Sequence, residues 1–133
     1  MRVEWSLDIG APSPRLSSTE IVHDQDLARL LDDIERDAPE RVIAEIVAPD
    51  GARLGIGLGG TRSVLVFNPS PQPPYFMSRG DTASTDEGPV FYLHGHWTEF
   101  PASALVPRAE AREAARRFVQ TGDRPDNVSW QEV

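Results

Sequence analysis

Cysteine is absent, which excludes disulfides, thiolate metal sites and a cysteine nucleophile. Lysine is absent too. All 13 basic residues are arginine, a bias that codon usage accounts for. No apolar run approaches the ~20 residues that a membrane-spanning helix needs, so no membrane partner is expected. The N-terminal MRVEWSLDIG carries Glu4 and Asp8 and no long apolar stretch, so it does not read as a signal peptide, and the expected compartment is the cytoplasm. Basic charge is scarce: 21 acids against 13 arginines leave a net charge of −8. Such a chain lacks the basic footprint that displaces counterions from nucleic acid, so direct nucleic-acid binding is not expected.

What is present suffices for one core. The 133 residues are 39% hydrophobic, with five Phe, three Trp and two Tyr, and fit a single domain spanning 1–133. Val3, Trp5 and Leu7 alternate with polar residues as in a strand, and Asp8 to Ser18, with Pro12 and Pro14, reads as a loop. Leu27, Leu31 and Ile34, with Leu30, make an apolar stripe, predicting a helix from about Asp24, its expected N-cap, to Asp37. Arg29–Asp33 and Asp32–Arg36 have the i,i+4 spacing that supports its outer face. Val42 to Val47, the turn Pro49-Asp50-Gly51 and Leu54 to Leu58 read as a hairpin. Ser63 to Phe67, Tyr75 to Met77 and Val90 to Leu93 are further strand candidates, with loops at Asn68–Pro74 and Gly80–Pro89.

Ala111, Ala114, Ala115 and Phe118 fall at i, i+3, i+4 and i+7, predicting a second helix over about Ala109–Thr121. Pro107 precedes it, Gly122 closes it, and Pro125 bars continuation before Val128 and Trp130 alternate as a last strand. Phe118 and Trp130 are candidate core residues. Helices near both ends of a run of hairpin-joined strands predict an α+β fold: a mainly antiparallel sheet of about five to seven strands with two helices packed on one face.

Candidate chemistry is thin. Gly55, Gly57 and Gly60 satisfy GxGxxG, but a dinucleotide site needs a helix after the motif, and Thr61-Arg62-Ser63 leads into strand-like VLVF. A glycine-rich strand end is the better reading, and no cofactor is expected. His94, His96 and Glu99 look like metal ligands if the two histidines share one strand face, but no third histidine or cysteine lies nearby. Ser78, Ser84 and Ser103 lie outside any nucleophile elbow. Arg108, Arg112, Arg116 and Arg117 form the one basic concentration, offset by Glu110 and Glu113, which suits a structural role. No catalytic set emerges. A small acidic enzyme or ligand-binding domain using Asp81, His94, His96 and Glu99 is the alternative reading.

Taken in order, GIGLGG (Gly55 to Gly60), SRGD (Ser78 to Asp81), GHWTEFPASALVP (Gly95 to Pro107) and the closing helix with its TGDRP stop resemble the Imm-one family of bacterial immunity proteins. The resemblance spans roughly Ile21 to Trp130. It implies an antidote that binds a cognate toxin domain of a polymorphic toxin system, one acting on nucleic acid such as a deaminase or nuclease. None of its blocks is a catalytic motif, so the expected role is binding. Glu20 to Asp50 holds ten acids against three arginines, which suits solvation and also steering toward a basic toxin. The expected contact surface combines acids with aromatic anchors from the later loops: Tyr75, Asp81, Asp86, Glu87, His94, His96, Trp97 and Glu99. The acidic first helix, through Asp26, Asp33 and Asp37, is its rival. Oligomeric state stays open.

Overall fold

A computed structural model of the chain describes residues 1–80 and 88–133. The elements run β1 (Arg2–Trp5), β2 (Ser17–Glu20), α1 (Asp24–Asp37), β3 (Val42–Val47), β4 (Arg53–Leu58), β5 (Arg62–Ser63), β6 (Leu65–Asn68), β7 (Phe76–Arg79), β8 (Val90–Leu93) and β9 (His96–Glu99). A 3₁₀ turn (Ala102–Ala104), β10 (Val106–Pro107), α2 (Arg108–Thr121) and β11 (Ser129–Glu132) complete them. Among the described residues nine strands form one sheet ordered β11-β7-β6-β4-β3-β1-β2, with β8 beside β3 and β9 beside β8, while β5 and β10 pair separately. All pairings are antiparallel except β3 with β8.

The class is the α+β arrangement expected. More strands form than the five to seven anticipated, because β2, β9 and the short β5–β10 ribbon lack the apolar alternation that announces a strand. Ser63–Phe67 also breaks into two strands at Val64, which is buried in a second core.

Alternation along β3 and β4 divides the sheet into two faces. Val42, Ala44, Ile46, Leu54, Ile56 and Leu58 point to one side and join Leu27, Leu31 and Ile34 of α1 with Ala111, Ala114, Ala115 and Phe118 of α2. Both helices therefore lie on this face. Phe118 is fully buried, its ring edge-on to Phe67 at 6.0 Å. Trp130, expected in the core, is only half-buried. It packs against Phe67 at 6.2 Å, and its indole N–H donates to the Pro125 carbonyl at 2.7 Å.

The opposite face carries a smaller core of Ile43, Val64, Phe91, Phe100 and Ala104. Gly57 makes it possible: a Cβ there would lie 2.6 Å from Cε1 of Phe91, so only glycine lets the ring lie against the strand. Gly55 and Gly57 thus belong inside β4, and a strand follows Gly60 where a dinucleotide site would need a helix. Among the described residues no helix is long and apolar enough to cross a membrane.

Charge pairing differs from the expectation along α1. His23, not Asp24, occupies the N-cap position, and it makes no side-chain cap bond. Asp24 instead accepts from Gln120 at 3.1 Å and lies 3.6 Å from Arg116, both on α2. Arg36 bonds Asp33 and Asp37 rather than Asp32. Asp32 and Glu35 take Arg108 and Arg112 from across the helix seam. The basic cluster of α2 is therefore the counterpart of the acidic helix. Gly122 ends α2 as expected, at φ 73°, with its N–H bonded to the Phe118 carbonyl.

Candidate functional site

The segment from Val90 to Phe100 folds as a hairpin with a two-residue turn. Leu93 pairs with His96, and the two turn residues, His94 and Gly95, both take positive φ, 50° and 84°. That is the backbone a type I′ turn requires. It also removes the premise of a two-histidine ligand pair, because His94 lies in the turn and His96 begins the next strand. Among the described residues no three His, Asp or Glu side chains gather closely enough to hold a metal ion.

His94 turns back onto the sheet. Strand β3 gives half of one edge to β1 and half to β8, and where these diverge Glu45 presents its carboxylate. The His94 Nε2–H donates to Glu45 Oε1 at 2.5 Å. Arg53 Nη1 reaches the same oxygen at 3.3 Å and Glu4 Oε1 at 3.0 Å, with Arg2 3.8 Å from Glu4. The hydrogen bond to Glu45 raises the His94 pKa above its ordinary value, against the opposing effect of burial. Burial pushes the Glu45 carboxyl up, but the His94 hydrogen bond and the His94 and Arg53 charges together outweigh it and hold that carboxyl low. This knot fastens the turn to β3. The loop after β1 secures its other side, with the Gly10 N–H bonded to the Gly95 carbonyl at 3.0 Å.

Strand β9 lies beyond the turn with its sequence exposed. Trp97 is 59% exposed, the one aromatic among the large exposed apolar side chains of the described residues. Alternation places Glu99 on the same face of β9 as Trp97, and His96 on the other. Glu99 also lines a cleft of ≈ 380 Å³ with Val66, Tyr75, Met77, Phe100 and Pro101. The Tyr75 hydroxyl donates to the Pro71 carbonyl at 2.6 Å, which fixes its ring at the cleft. Glu99 has no ion-pair partner among the described residues.

The structure therefore joins Tyr75 and Glu99 in one cleft, with Trp97 beside them on β9. His96 is exposed on the far side of that strand, and His94 serves the knot beneath. Asp81, Asp86 and Glu87 lie outside the described residues. Ser78 is spent on structure: its fully buried hydroxyl accepts from Leu65 N–H and donates to the Ala104 carbonyl. Sequence reasoning missed Glu4, Glu45 and Arg53, and with them Val66 and Met77. The signal for the cleft was there in the alternation of β6, since Val66 must face away from the helix-side residues Leu65 and Phe67.

No curated protein matches the chain in sequence. A family model described as Immunity protein Imm1 matches residues 17–132, covering every element from β2 to β11. The chain belongs to the Imm1 family of immunity proteins.

Proposed function

We propose that this protein binds and neutralises a cognate toxin domain of a polymorphic toxin system in the cytoplasm of the bacterium that makes it. The family match over residues 17–132 carries the reading. The net charge of −8 suits a basic partner, and toxins that act on nucleic acid, such as deaminases or nucleases, are commonly basic. Protection then comes from binding rather than from chemistry performed by this chain. The expected contact surface is β9 and its cleft, through Tyr75, Trp97 and Glu99, with His96 exposed on the strand's other face and Asp81, Asp86 and Glu87 assigned to it by sequence alone. His94 holds the hairpin in place. Co-expression with the product of a neighbouring gene that ends in a toxin domain tests the proposal. The two proteins should co-purify, and cells that die with the toxin alone should grow. Toxicity undiminished by the co-expressed chain would refute it.

A further inference from the structure

The exposed strand β9 has a free side as well as an exposed face. Among the described residues it pairs with β8 alone. The Leu93–His96 pair closes a two-residue turn, and the Phe100 N–H bonds to the Pro89 carbonyl at 2.9 Å. In an antiparallel ladder alternate residues direct their main-chain groups at the same neighbour, so His96, Thr98 and Phe100 face β8. Trp97 and Glu99 direct their N–H and C=O groups outward, and among the described residues nothing accepts from either N–H. The outer strands at the sheet ends differ. β2 reads SSTE, with no apolar residue to anchor a partner, and in β11 the Trp130 side chain is engaged on Phe67 and Pro125.

We propose that the toxin contributes an extended segment that adds to the outer edge of β9. It would pair with the main chain of Trp97 and Glu99, seat an apolar side chain in the adjoining cleft and set a basic one against Glu99. The inference rests on the immunity reading. Strand addition takes its affinity from main-chain hydrogen bonds and its specificity from pockets for alternate side chains, and β9 offers both. Unprotected edges are normally blunted by proline, lysine or a covering element, and HWTE carries neither residue. The occupant's charge follows from the site: among the described residues Glu99 is the one charged side chain lining the cleft, and it has no ion-pair partner there.

The test uses the toxin domain of a neighbouring gene's product, with amide exchange followed by NMR on the unaltered protein. The Trp97 and Glu99 amides should exchange freely in the free protein and become protected in the complex. Trp97→Ala and Glu99→Ala should each weaken binding at least about tenfold, as removal of interface anchors does. Glu99→Pro should weaken it further than Glu99→Ala, since proline removes the outward N–H without breaking the β8 ladder. Tight binding with both amides still exchanging freely would overturn strand addition while leaving the immunity role standing. Failure of the unaltered protein to bind that toxin would sink the immunity reading, and this inference with it.

Discussion

The two faces of the central sheet use the same strands for different ends. On the helix side, β3 and β4 present Val42, Ala44, Ile46, Leu54, Ile56 and Leu58, all sealed under α1 and α2. One residue along on the same strands, the other side presents Ile43, Glu45, Arg53, Gly55 and Gly57. There a small core is capped by one hairpin, a charged knot holds that hairpin's turn, and a cleft and an exposed tryptophan remain. Period-two alternation thus gives the main core to one face and leaves the other a smaller core with polar and charged side chains around it. Substitutions should sort accordingly.

The largest loss is expected at Phe118. Truncation to Ala removes a fully buried ring from the seam of α2, β6 and the helix-side core and should cost ~3–5 kcal/mol. Urea denaturation measures it. A loss as small as those expected on the other face would erase the contrast between the two.

Gly57→Ala comes next. Its new Cβ would meet Phe91 Cε1 at 2.6 Å, so the ring and the β8–β9 hairpin must shift, at about 1–3 kcal/mol for overpacking. Pairing it with Phe91→Leu sharpens the point. If the clash is the cause, the double variant is more stable than the sum of the single losses requires, because the sites are in direct contact.

The His94–Glu45 contact makes the hairpin's attachment depend on pH. His94 has a raised pKa, so its contribution is complete below its ordinary value of 6.5 and is lost as pH rises through the higher folded value. Glu45 has a lowered pKa, so its contribution is present above its ordinary value of 4.5 and is lost as pH falls through the lower folded value. Stability from this pair is therefore greatest in the mildly acidic window between those two ordinary values. His94→Asn keeps a side chain that tolerates positive φ and removes the charge. Melting curves across pH should be flatter for it than for the unaltered protein on the alkaline side of the window. Parallel profiles would show that the knot contributes nothing to the attachment.

How much of this could be read beforehand follows from the same two faces. α1, β3 and β8 have the bounds expected of them, and α2 begins one residue early, because a buried stripe or run leaves a periodic signature. β2 leaves no such signature, since an edge strand with SSTE has little to bury, and its first two residues fall within the loop expected from Asp8 to Ser18. The partners of Asp32 and Glu35 leave no local signal, because Arg108 and Arg112 are distant in sequence, whereas i,i+4 spacing pairs Asp32 with Arg36. His94 and His96 have the spacing of ligands on one strand face, but His94-Gly95 between VFYL and HWTE is also a turn-compatible pair, and the type I′ turn it forms parts them. Residue type alone makes Tyr75, Trp97 and Glu99 candidates for a contact surface, and Trp97, which could equally fill a core, is 59% exposed. Their shared cleft depends on Val66 and Met77, which only the sheet brings beneath them.

The smallest effect is expected at the acidic helix, which lies on the helix side and far in kind from an anchor. Asp33 and Asp37 are already paired with Arg36, and all three residues are largely exposed, so their field is screened beyond a Debye length of ~8 Å at physiological salt. Asp26→Asn, Asp33→Asn and Asp37→Asn together should leave the protein folded. They should slow toxin association only at low ionic strength, with dissociation unchanged, as rim charges do. Trp97→Ala should do the reverse, speeding dissociation at every salt concentration. Surface plasmon resonance across a salt series separates the two patterns. If the helix substitutions accelerate dissociation and Trp97→Ala does not, recognition belongs to the helix side, and the division of labour between the faces must be drawn the other way.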